Sequence, residues 1–86
     1  MRIYISGQLS VLELGNLEQL HSERGISIVA SNSDDTKRRI ELLINCDAIY
    51  FVNGWQNTIY SYIELSIAEI NNIEIRYQEK QQPITV

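Results

Sequence analysis

A three-layer α/β/α domain built on a four-stranded parallel sheet is the fold class this sequence predicts, on three observations. Short β-rich runs and helical stripes alternate strictly in the order β-α-β-α-β-α-β, and such alternation marks parallel strands joined by crossover helices. The run Ala48 to Val52 is almost continuously apolar, as a central strand covered on both faces must be. Finally, 86 residues that are 44% hydrophobic and 21% charged make one ordinary globular domain, without room for a second core. Fourteen isoleucines suit the buried faces of a sheet.

Each element can be justified in turn. Arg2 to Ser6 opens as a strand around Ile3-Tyr4-Ile5 and is stopped by Ser6-Gly7. Val11, Leu14, Leu17 and Leu20 recur every three residues, which is a helical stripe. Ser10 with Glu13 forms a capping-box pair at its start, and Gly25 ends it. Ile26 to Ala30 is the second strand, followed by a polar turn at Ser31 to Ser33. A second helix begins at Asp34 or Asp35, where a carboxylate complements the helix dipole. Ile40, Leu43 and Ile44 are its apolar positions, and Lys37, Arg38 and Arg39 are expected mostly on its wet side. The central strand closes at Asn53-Gly54, and a third helix runs from Asn57 or Thr58 to Asn71. Ile59, Ile63, Ile67 and Ile70 mark its expected buried stripe, flanked by Tyr62 and Leu65. Asn71-Asn72 is the stop, and Ile73 to Tyr77 alternates as a more exposed last strand. The domain therefore spans residues 1–77, and residues 78–86 form a polar tail holding the one proline, Pro83.

Right-handed crossovers narrow the topology to the flavodoxin-like order 2-1-3-4. Sheets of this kind bind ligands at the carboxyl ends of their strands, where the strand order reverses. Here that point lies between strands one and three, whose ends are Ser6-Gly7-Gln8 and Asn53-Gly54-Trp55.

Charge and cysteine usage exclude several functions. Seven basic against eleven acidic residues give a net charge of −4, which argues against nucleic acid, whose phosphates demand Lys and Arg. A small phosphorylated ligand needs only a few backbone donors and stays open. One cysteine, Cys46, makes no internal disulfide, no Cys/His cluster suggests a metal, and no cofactor motif is present. Met1 to Gly7 carries no signal-peptide pattern and no apolar run approaches a membrane span, so the cytoplasm is the expected compartment. A core this small also favours self-association into a homo-oligomer.

Few residues offer chemistry. His21, the only histidine, falls in the middle of the first helix and reads as a surface residue, so Ser6 and Ser10 have no usable base. Cys46, just before the central strand, reads as buried rather than nucleophilic. Glu64 lies about two turns into the third helix. Its side chain leans toward the helix N-terminus, so it either faces solvent on an amphipathic helix or looks back to the carboxyl edge of the sheet. Asp47 punctuates the start of strand three. Trp55 either stacks on a ligand or staples its loop to the third helix. Tyr4 alternates with core isoleucines, with its hydroxyl toward the mouth.

Three segments carry a family resemblance: Tyr4-Ile5-Ser6-Gly7-Gln8, Cys46-Asp47-Ala48-Ile49-Tyr50-Phe51-Val52-Asn53-Gly54-Trp55, and Glu64-Leu65-Ser66-Ile67-Ala68. In order and spacing they resemble the small nucleoside 2-deoxyribosyltransferase-like proteins. Gln8 stands where that pattern has proline, and Thr58-Ile59-Tyr60-Ser61 where it has a small-residue turn. The resemblance implies Glu64 as the nucleophile toward the anomeric carbon of a nucleoside or its monophosphate, with Tyr4 beside it and Asp47 as a second acid. Ser6, Gly7, Gln8, Asn53, Gly54, Trp55 and Thr58 then line the substrate site. The expected activity is cleavage or transfer of an N-glycosidic bond. The alternative is a non-catalytic nucleotide-binding or protein-interaction domain of the same fold. A real site requires Glu64 to open into a pocket shared with Tyr4 and Gly7.

Overall fold

The structure, a computed structural model, describes residues 1–8, 12, 14–16, 19, 24–30 and 35–78. Its strands are β1 (Arg2–Ser6), β2 (Ser27–Ala30), β3 (Ala48–Phe51) and β4 (Glu74–Tyr77). Its helices are α1, helical at residues 12, 14–16 and 19, then α2 (Thr36–Leu43) and α3 (Ile59–Ile70), with a 3₁₀ turn at Trp55–Asn57. The strands form one all-parallel sheet in the order β2-β1-β3-β4, the predicted 2-1-3-4. The expected cap at Ser10, the remaining apolar positions of the first helix (Val11, Leu17 and Leu20), His21 and the turn at 31–33 lie outside the described residues. So does the tail from residue 79 onward.

Strand periodicity sorts the core into two layers. Tyr4, Ile49 and Phe51 point to one face, where Leu43 of α2 and Ala68 of α3 cover them, with Cys46 closing the cluster. Ile3, Ile5, Ala48 and Val52 point to the other, packed with Ile26, Ile28 and Tyr50. Both β1 and β3 are thus buried on each side, which is why they read as nearly unbroken apolar runs. Each fully buried Leu, Ile or Phe contributes about 1.5–3 kcal/mol relative to exposure.

The helix ends follow local chemistry. Asp35 caps α2 by accepting a hydrogen bond from the Lys37 amide at 3.0 Å. Thr58 caps α3 through the Tyr60 amide at 3.3 Å. At the far end of α3, Asn72 takes a left-handed conformation with φ 56°. The amides of Ile73 and Asn72 then donate to the carbonyls of Ala68 and Glu69 at 2.9 and 3.4 Å. That pairing is a Schellman closure with asparagine in the place glycine usually holds, so the Asn71-Asn72 stop signal has a mechanism.

Three expectations about helix faces need correcting. Arg39, placed on the wet side, is 8% exposed and buried, whereas Ile44 is 49% exposed. On α3 the buried residues are Ser61, Glu64 and Ala68. Of the predicted isoleucine stripe, Ile59 and Ile70 are 71% and 75% exposed, and Ile63 and Ile67 are only half-buried. Apolarity chose the wrong face because α3 is apolar nearly all round, which leaves its period uninformative. Just beyond β4, the Gln78 amide donates to the Phe51 carbonyl at 2.8 Å, and its side-chain oxygen accepts from the Asn53 amide.

Gly7 shapes the end of β1. Its φ is +109°, and a Cβ there would meet Val52 Cγ2 at 2.5 Å. Both the backbone conformation and the space favour glycine. Gly7→Ala is expected to lower the stability of the domain by at least about 1–3 kcal/mol, read from urea unfolding midpoints; an unchanged midpoint would show that this loop adjusts freely.

Candidate functional site

The third helix and the first strand bring a carboxylate into the middle of the protein. Glu64 is 1% exposed and Tyr4 and Ser6 are fully buried. Successive strand residues alternate faces, so Tyr4 and Ser6 share one side of β1 and both meet α3. The Tyr4 hydroxyl donates to Glu64 Oε2. Ser6 Oγ donates to Glu64 Oε1 at 2.7 Å and also lies 2.8 Å from Ser61 Oγ. Ser61 is one helical turn before Glu64, on the same face.

Arg39 completes the cluster from α2. Its Nε is 3.2 Å from Glu64 Oε2 and its Nη2 is 3.5 Å from Oε1. The guanidinium carbon also sits 4.5 Å from the centre of the Tyr60 ring, a distance at which cation and ring attract. Four donor atoms therefore converge on the two oxygens of one carboxylate. Burying such a pair forfeits the hydration of both ions, and hydrogen bonding of this completeness is what makes it tolerable.

Tyr4 is the group whose titration this arrangement most changes. Burial first, and then the bond to Glu64, push its hydroxyl far above the ordinary tyrosine range. Cys46 is also shifted upward by burial, and its thiol lies 3.3 Å from the Leu42 carbonyl. It is a buried core residue, as expected.

The other predicted residues sort by position. Gly7 approaches Val52 and Trp55 closely, so the ends of β1 and β3 do meet at the reversal point of the strand order. Gln8, Asn53 and Gly54 are exposed around that junction, and Gly54 turns the chain with φ 85°. Thr58 is occupied in capping α3. Trp55 packs against Phe51 at 4.9 Å, Tyr62 at 5.2 Å and Tyr77 at 6.0 Å between ring centroids, which ties its loop to α3 through Tyr62.

Asp47 does not join them. It accepts from the Arg2 amide at 2.8 Å, at the amino end of the sheet. Ser6 is four residues further along β1, on the order of 13 Å away at the rise of a strand. The structure therefore separates Asp47 from Glu64. Nor does Glu64 open into a pocket shared with Tyr4 and Gly7, since it is almost wholly covered. Two residues of the cluster, Arg39 and Ser61, escape a reading for chemistry. Their signal is spacing: Arg39 precedes Leu43 by one turn, and Ser61 precedes Glu64 and Ala68 on one helical face.

Among the described residues, no group of His, Cys, Asp and Glu could hold a metal ion, and no helix is long and apolar enough to cross a membrane. No protein-family model matches the chain, and neither a curated protein nor a solved structure does.

Two expectations follow from the cluster. Glu64→Ala removes the buried carboxylate that Arg39 is paired with and should cost about 3–5 kcal/mol in urea unfolding; a loss below 1 kcal/mol, on the order of an exposed pair, would contradict the burial. The raised Tyr4 hydroxyl holds its proton more tightly folded than unfolded. Its contribution is intact below the unfolded value of about 10 and is lost as pH climbs beyond it. Stability measured in urea at increasing alkaline pH should therefore fall more steeply in the native protein than in Tyr4→Phe. Equal slopes would remove Tyr4 from the account.

Proposed function

We propose that this chain is a nucleoside 2-deoxyribosyltransferase-like domain, taking a nucleoside or its monophosphate at the carboxyl edge of β1 and β3. The observation that carries the reading is Glu64, a carboxylate 1% exposed that accepts hydrogen bonds from Tyr4 and from Ser6, the last residue of β1. Buried carboxylates with designated partners concentrate at functional sites. The order Tyr4…Ser6-Gly7, Asp47…Trp55 and Glu64…Ala68, which resembles those proteins, points to the same chemistry.

In this reading an oxygen of Glu64 bonds to the anomeric carbon while the N-glycosidic bond breaks. The bonding pair leaves with the base nitrogen, which takes a proton from water. Water, or a second base, then adds to the anomeric carbon from the opposite side and releases the carboxylate, so configuration is retained overall. Tyr4 and Ser6 orient the two carboxylate oxygens. Gly7, Gln8, Asn53, Gly54, Trp55 and Thr58 are the residues this reading assigns to binding the substrate. Glu64 is almost wholly covered and Arg39 contacts both its oxygens, so this reading requires the guanidinium to withdraw and a pocket to open beside Tyr4 and Gly7 before an oxygen can attack. Asp47 has no part in these steps. Self-association and a reducing cytoplasmic compartment belong to the same reading.

One observation favours a second reading, a non-catalytic domain that binds a nucleotide or a protein. Tyr4, Ser6 and two nitrogens of Arg39 already occupy the Glu64 carboxylate, as a purely structural carboxylate would be. Incubation with a panel of deoxynucleosides and their monophosphates, followed by chromatography of free base, separates the two. Release of base by the wild type, reduced at least about a hundredfold in folded Glu64→Gln, is the expected result. No release from any substrate would leave the binding domain as the function.

A further inference from the structure

The groups that hold Glu64 differ in how far they can move. Tyr4 and Ser6 reach its carboxylate from β1, a strand buried on both faces, where close packing leaves little freedom. Arg39 reaches it on a long side chain from α2, through Nε at 3.2 Å and Nη2 at 3.5 Å. It is the fourth residue of that helix. Because α2 follows β2 of a parallel sheet, its first turn starts from the carboxyl edge, where ligands of such sheets bind. The guanidinium carbon also lies 4.5 Å from the centre of the half-buried Tyr60 ring. Lys37 and Arg38, both exposed, stand directly before Arg39, and Arg38 faces Glu41 at 3.9 Å. Three of the chain's seven basic residues are thus consecutive at this one place.

We propose that Arg39 is the specificity-determining residue of this edge, a guanidinium that exchanges Glu64 for a phosphate carried by the ligand. The inference rests on the nucleoside reading for where the ligand lies, and it does not require turnover. A guanidinium meets carboxylate and phosphate through the same planar fork of donors, so a phosphate monoester can take the place of Glu64 as its partner. A neutral deoxynucleoside brings no such partner. Opening the site for it breaks a buried ion pair and forms none in exchange. A ligand shifts the balance between a closed and an open form only by what it gains in the open one. The monophosphate therefore opens the site far more readily than the nucleoside does. Lys37 and Arg38 add positive charge beside Arg39 in a chain whose net charge is −4, which draws an anion toward this end of α2. Freeing of Glu64 is in this way tied to capture of the phosphate.

Titration calorimetry of the full chain with a deoxynucleoside, its 5′-monophosphate and inorganic phosphate tests the exchange. The wild type is expected to bind the monophosphate at least about tenfold tighter than either of the others. In Arg39→Met that preference should fall below about threefold. Because this variant leaves Glu64 without its ionic partner, Arg39→Met/Glu64→Gln, which removes both charges, is measured beside it, and circular dichroism verifies the fold of each. Nitrogen NMR of the arginine side chains gives a second readout. The Arg39 Nε–H signal, assigned by its loss in Arg39→Met/Glu64→Gln, should move with the monophosphate and stay in place with the deoxynucleoside. A wild type that binds nucleoside and monophosphate equally overturns the exchange and leaves the nucleoside reading standing. A preference that survives without Arg39 gives the phosphate to Lys37 and Arg38 and overturns the role of Arg39. Inorganic phosphate bound as tightly as the monophosphate overturns the nucleotide as the ligand. Binding of none of the three overturns the inference and the nucleoside reading together.

Discussion

The burial of the Glu64 carboxylate between β1 and α3 is the constraint on which the rest of the structure depends. A carboxylate with negligible exposure must be met by donors from several directions. Here the donors come from three separate elements: Tyr4 and Ser6 from β1, and Arg39 from α2. Satisfying them sets how far α3 lies from the sheet, which way it is rotated, and which residue of α2 faces inward. Ser61 and Ala68 are carried to the core by the same rotation. Ile59 and Ile70 are carried to the surface.

This explains why an apolar helix shows its isoleucines to solvent. With Ile59, Ile63, Ile67 and Ile70 on one side and Leu65 and Ala68 on the other, α3 has more than one face that could be buried. Hydrophobic burial alone would choose the face with the most isoleucine. Polar satisfaction within the core competes with that choice, because an ionic pair left half-made costs about 3–5 kcal/mol, the same range as one or two exposed isoleucines.

Most of the architecture was legible in the sequence because it depends on short-range rules. Alternation of strands and helices, the apolar run of β3, the Asp35 and Thr58 caps and the Asn71-Asn72 stop are all local signals. The order 2-1-3-4 then follows from the handedness of crossovers. The candidate site was legible only in part. Glu64, Tyr4, Ser6 and Gly7 were identified by a short pattern that resembles a known family. Arg39 was hidden in Lys37-Arg38-Arg39, where three cations in a row look like a solvated face. Asp47 lies beside the central strand in sequence but at the wrong end of it in space. A pattern of residue types does not reveal which end of a strand a neighbouring side chain serves.

The sequence by itself therefore determined the elements, their order and the two-sided core strands. Tertiary structure alone decided the orientation of α3, the partnership of Arg39 with Glu64, the separation of Asp47 from both, and the exposure of Ile59 and Ile70. The physical reason is the range of the forces. Backbone conformation and capping are settled within a turn or two of chain. The environment of a buried carboxylate is settled by donors brought from 25 and 60 residues away, and only the closed fold sets those distances.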